Sequence, residues 1–161
     1  MGISLISIVE EMAKEVRDKF NVVCNLLLAE DVPDPRELST EKKFLMVFDD
    51  LLLEKQNTCD SYYVRGRNSN VDCFYLAQNY FKLPRQSIRE DANFICLFPQ
   101  DLKNLNHIFE GHVGSDMTRE EFRQICKVAW KKQHGFVIID LSSKKHNGKY
   151  GSELDEFYIQ N

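Results

Sequence analysis

Glycine is scarce and badly placed in this chain: there are seven in 161 residues, and only Gly2 precedes residue 66. No G-x-x-x-x-G-K-[ST] stretch occurs, so the sequence has no loop whose consecutive N–H groups could cradle a phosphate while a lysine reaches its oxygens. Cysteine pairs are missing too. Cys24, Cys59, Cys73, Cys96 and Cys126 are an odd, dispersed set without a C-x-x-C. They read as free, mostly buried thiols in a reducing compartment, not as a disulfide framework or a zinc site. His107 and His112 are five apart and off one helical face, which excludes a helix-borne metal pair. Nothing reaches the roughly 18 apolar residues of a membrane span, and no basic stretch ahead of an apolar run marks a secretory signal. The expectation is therefore a soluble intracellular protein, cytoplasmic or nuclear, without membrane contact. An excess of positive charge is also absent, with Lys+Arg 21 against Asp+Glu 25. Any contact with DNA has to come from local basic patches.

What is present is an ordinary globular composition, 43% hydrophobic and 11% aromatic, long enough for a single domain over residues 1–161. The chain is organised around Phe44-Leu45-Met46-Val47-Phe48, an apolar run without alternation that ends in Asp49-Asp50. Such a run predicts a strand buried on both faces, hence an α/β fold with a mainly parallel sheet and helices on both faces. Ahead of it, Ile8, Met12, Val16 and Phe20 recur every four residues and predict a helix within 1–20. Residues 22–29 read as a strand, and Pro33 and Pro35 mark a loop.

Beyond residue 50, Asn57 is placed to cap a helix with Cys59, Tyr62 and Tyr63 on one face, ending near Arg65-Gly66-Arg67. Residues 71–77 and 94–98 read as further buried strands, separated by a basic turn at Lys82, Pro84 and Arg85 and a short helix over 86–91. Asp101 precedes a helix carrying Leu102, Leu105 and Phe109. Thr118 and Glu121 form a capping-box pattern for a helix whose stripe is Phe122, Ile125, Cys126 and Ala129, closed by Gly135. Residues 136–141 give the last strand. The polar tail, 142–161, with Lys144, Lys145 and Lys149, is expected on the surface.

Acids at the carboxyl end of a parallel strand lie where open α/β sheets bind ligands. One carboxylate there can hold hydrated Mg²⁺ and its neighbour can orient or deprotonate a water, the Walker B arrangement. The alternative is a solvated Asp-Asp turn. If the strand over 71–77 is a parallel neighbour, Gln78 arrives at the same edge, either to sense a γ-phosphate or simply to satisfy loop backbone. Arg65 and Arg67 flank a glycine in a polar turn, suited to an arginine finger toward a neighbouring subunit or to plain solvation. Lys82, Arg85 and Arg89 form a basic group that either touches a DNA backbone or decorates a helix.

Taken together, Asp49-Asp50, Arg65-Gly66-Arg67, Leu76-Ala77-Gln78 and Tyr80-Phe81-Lys82-Leu83-Pro84 resemble the carboxyl-terminal part of the genome-packaging ATPases of large DNA viruses, virophages and Polinton-type transposons. These belong to the FtsK/HerA-like P-loop translocases. The resemblance covers about residues 22–161 and implies a RecA-like P-loop NTPase core, incomplete here, over 22–141. It implies that Asp49 holds Mg²⁺, that Asp50 is the catalytic acid, that Gln78 is the sensor, and that Arg65 and Arg67 supply a finger between subunits. ATP and Mg²⁺ are the implied cofactors. A homo-oligomeric ring acting on double-stranded DNA is the implied assembly, in a virus factory if the gene is viral. Two departures stand out. Asn68 replaces an expected histidine, and residues 1–20 stand where the first strand and the Gly-rich loop belong. Two functions follow: half of a packaging motor that does not hydrolyse ATP alone, or a non-catalytic remnant serving as a binding or assembly module. A receiver-type phosphoacceptor domain also places paired acids at strand ends, but this chain lacks its third acid and strand-end lysine.

Overall fold

Two short hydrogen-bond ladders, one parallel and one antiparallel, carry the architecture of the computed structural model, which describes residues 31–49, 57–153 and 156–157. The backbone divides into two units, Met1–Pro33 and Asp34–Asn161. The helix expected within 1–20, the strand over 22–29 and Asp50 lie outside the described residues. No helix among the described residues is long and apolar enough to cross a membrane.

The first ladder joins β1 (Phe44–Asp49) to β2 (Val71–Leu76), parallel and in register from Phe44 opposite Val71 to Asp49 opposite Leu76. The crossover between them contains α1 (Asn57–Arg65) and a 3-10 turn, Gly66–Ser69; the residues just ahead of Asn57, on which its expected capping role turns, lie outside the described residues. Cys59 and Tyr62 of α1 are buried; the Tyr62 ring meets Phe48 edge-on at 5.6 Å. The facing side of the sheet is Phe44, Met46 and Phe48 with Val71, Cys73 and Tyr75.

The opposite side is open, which corrects the expectation of a strand buried on both faces. Leu45, Val47, Phe74 and Leu76 are each about half exposed or more. The run 44–48 is apolar at every position, so periodicity could not reveal that only alternate residues are covered.

The second ladder also differs from expectation. β3 (Phe94–Leu97), β4 (Val137–Asp140), β5 (Tyr150–Ser152) and the two-residue β6 (Glu156–Phe157) are antiparallel throughout, in the order β3-β4-β5-β6. The fold is therefore mixed α/β with two small sheets, and parallel pairing is confined to β1 and β2. Helices cover one face of the second sheet. Leu97, Val137, Ile139 and Tyr150 pack against Leu105 and Ile108 of α2 (Leu102–Ile108), Val113 and Met117 of the following turns, and Phe122, Cys126 and Ala129 of α3 (Arg119–Ala129).

Caps set both helices. The Asp101 carboxylate accepts from the Asn104 N–H at 2.8 Å, and Thr118 and Glu121 make the reciprocal capping box that their spacing predicts. α3 stops at Ala129, short of Gly135. The Trp130 indole N–H donates to the Leu97 carbonyl at 3.0 Å and ties the helix end to β3. Gly135 has a different reason: a Cβ there would run into the Ala129 carbonyl oxygen. The expected polar tail instead folds back, and β5 is buried along its whole length.

Candidate functional site

Asp49 is the last residue of β1 and is exposed; it lies on the open side of the sheet with Leu45 and Val47. Because β1 and β2 are parallel and Asp49 stands opposite Leu76, Gln78 follows two residues later at the same carboxyl edge, also exposed. Asn79, next in line, turns its side chain to cap the short helical turn Tyr80–Lys82, accepting from the Phe81 N–H at 3.1 Å. The strand register thus brings Asp49 and Leu76, two residues before Gln78, to one edge. Asp50 lies outside the described residues.

The arginine turn lies at the other end. Arg65 closes α1, the turn Gly66–Ser69 follows, and Asn70, in the left-handed region at φ 55°, leads into β2. Its carbonyl receives the Phe44 N–H at 3.0 Å and its side-chain amide donates to the Thr40 carbonyl at 2.9 Å. Arg65 and Arg67 therefore flank the amino edge of β1 and β2, roughly 17–20 Å of strand away from Asp49. Within one subunit they do not join the acid and the amide. Arg65 is exposed, and nothing is described of the Arg67 side chain. Asp34 sits near this end. The Arg36 guanidinium holds its carboxyl well below the usual carboxylate range, with Arg65 a smaller contributor.

A magnesium ion commonly takes one or two carboxylates plus waters and phosphate oxygens, so Asp49 fits as one ligand. A triphosphate also calls for converging N–H donors and a lysine, and the sequence holds no G-x-x-x-x-G-K-[ST] loop to supply them. Cys59, Cys73, Cys96 and Cys126 are free thiols, as the sequence predicts. Burial pushes Cys59 and Cys73 up to about 11 and Cys126 to about 12, so they are inert at neutral pH.

A second polar constellation was invisible in the sequence. Asp116 Oδ2 accepts from Lys149 Nζ at 2.5 Å and from the Tyr150 hydroxyl at 2.6 Å, while Lys149 also donates to the His112 carbonyl at 3.1 Å. Burial pushes the Asp116 carboxyl up, but the hydrogen bonds from Lys149 and Tyr150 and the ammonium charge outweigh it and hold it below its ordinary value. The His112 ring meets the Tyr80 hydroxyl at 2.5 Å, and burial together with Lys149 and Arg89 lowers its pKa. Over thirty residues separate the partners in each contact, which no local pattern encodes.

No protein-family model, no curated protein and no solved structure matches the chain.

Proposed function

We propose that this chain is the Walker B half of a nucleotide-driven DNA motor of the genome-packaging ATPase type, and that by itself it does not hydrolyse ATP. One observation carries the reading: β1 and β2 are parallel, in a register that brings Asp49 and Gln78 to a common carboxyl edge. That edge is where a RecA-like core would gather a Mg²⁺ ligand and a γ-phosphate sensor, with Asp50 as the acid beside them. The position of Arg65 and Arg67 at the far end of the strands suits a finger offered to the next subunit of a ring, not to their own site. Double-stranded DNA would be the cargo.

The missing loop decides activity. Removing a single preorganised donor from such a site costs about 10² to 10³ in rate, and here the backbone cradle and its lysine are absent from the sequence together. Lys42 and Lys43 do not substitute, since they precede β1 and lie at its amino edge, where Lys43 pairs with Asp72 at 3.1 Å. A second reading, a non-catalytic binding or assembly module, is favoured by the open apolar side of the β1–β2 sheet.

Purified chain incubated with ATP and Mg²⁺ is expected to show no turnover above an Asp49→Ala control, with or without duplex DNA. Adding a polypeptide that carries a strand and a Gly-rich loop is expected to restore hydrolysis that depends on Asp49 and Gln78. Turnover by the isolated chain, abolished by Asp49→Ala, would show that its phosphates bind elsewhere. Failure of every loop-bearing polypeptide to restore it would favour the binding module.

A further inference from the structure

The loop between β4 and β5 and the turn that precedes α3 border an open cavity of about 550 Å³ lined by Ser115, Asp116, Ser143, Lys144, Lys145, His146 and Lys149. The loop is held in shape. Gly148, at φ 79°, reverses the chain after the 3-10 turn Lys145–Asn147, and the Asp140 carboxylate gathers the Ser142 N–H and the hydroxyls of Ser142 and Ser143. Lys145 Nζ donates to the Asp116 carbonyl at 2.5 Å.

The geometry points to a binding site for a phosphoryl oxyanion in this cavity. Three carboxylates lie nearby, and each is already engaged. Asp116 is matched by Lys149 and Tyr150, Asp140 is taken by the two serines, and Glu121 is locked into the Thr118 cap while also acting on Lys145 through charge. What remains toward the cavity are hydrogen-bond donors. Lys144 and His146 are exposed, and their side chains make no hydrogen bond or ion pair with the described residues. An ammonium carries three donors, so Lys145 keeps N–H groups beyond the one spent on Asp116. Anchoring Lys145 on a backbone carbonyl fixes its head group without neutralising it, which removes much of the ordering cost a lysine bears on binding. Two lysines and an imidazole converging on a concave surface can donate to several oxygens of one tetrahedral anion, whether it is a free phosphate or a phosphate of a nucleic acid backbone. The site depends on the proposed function only in making duplex DNA a natural probe, and it shares no residue with the Asp49 edge.

The test uses the full chain, a Lys144→Ala, His146→Ala variant, and a Lys127→Ala control that removes an exposed lysine from α3. Lys145 and Lys149 are left intact because they brace Asp116. Inorganic phosphate is titrated by NMR and a short duplex by fluorescence anisotropy across a salt series. If the source is a nucleic acid backbone, the double variant weakens duplex binding about tenfold at low salt and flattens the log–log salt slope by about 1, while Lys127→Ala does not. If the source is free phosphate, the anion shifts amide resonances over residues 143–149 in the native chain and not in the double variant, and duplex binding is unchanged between them. Either result supports the site. Absence of both effects, or an equal loss in Lys127→Ala, overturns it.

Discussion

At the scale of single residues, Asp116 concentrates more chemistry than any other described side chain. Its carboxylate is mostly enclosed, with Lys149 similarly covered, so the pair is screened far less than the exposed ion pairs on the surface. Because the folded pKa lies below the ordinary carboxylate value, the native state binds fewer protons than the unfolded chain between the two values. The resulting stabilisation is fully present above about pH 4 and is lost as the pH falls through the folded value. Asp116→Asn is therefore expected to flatten the acid limb of a stability-versus-pH curve measured by urea unfolding. Tyr150→Phe removes only a hydroxyl, but one donating to a charged acceptor, and is expected to cost about 1.5–3 kcal/mol at neutral pH. An unchanged acid limb in Asp116→Asn would mean that the carboxylate is as stable in the unfolded chain.

Elements show the consequence of covering a sheet on one side only. Phe48 is 3% exposed and packs on Tyr62, whereas its neighbour Val47 is 55% exposed. Phe48→Ala should cost about 3–5 kcal/mol in chemical denaturation, and Val47→Ala less than about 1 kcal/mol. Similar costs at the two positions would mean that the outer side is covered in solution. The same strand illustrates what the sequence carried and what it did not. The capping box at Thr118 and Glu121 was legible because it is a contact between residues three apart, and so was the Asp101 cap. The parallel pairing of β1 with β2 followed from the helix lying between them. Strand direction in the second sheet did not follow, since apolar runs such as Ile95-Cys96-Leu97 look the same in either orientation. β5 escaped notice because Tyr150-Gly151-Ser152 is too short for periodicity and owes its burial to packing against distant helices. Of the site, Asp49 and Gln78 could be placed at one edge from strand ends alone. The end of α1 at Arg65 was legible as well, and with the parallel pairing of β1 and β2 it puts Arg65 and Arg67 at the opposite edge from Asp49.

On the scale of the whole molecule, two ladders that share no strand are joined by residues 77–93. The turn Tyr80–Lys82 leans toward α2, where the Phe81 ring stacks on His107 at 4.4 Å, and Ser87 bonds Asp60 of α1 at 2.6 Å. This connection is the described covalent and packing link between the sheets. Backbone amides exchange with solvent through local openings whose free energy reflects how much surrounding structure must open with them. β4 lies between two partners with Val137 and Ile139 fully enclosed, while the β1–β2 pair is wet along one side and has no third strand among the described residues. In deuterium the amides of β4 should therefore outlast those of β1 and β2 by orders of magnitude, in two separate groups. One common rate for both sheets would mean that the connection makes them open as one. With no shared ladder, deuterium uptake in the parallel pair can proceed while the antiparallel sheet keeps its protons.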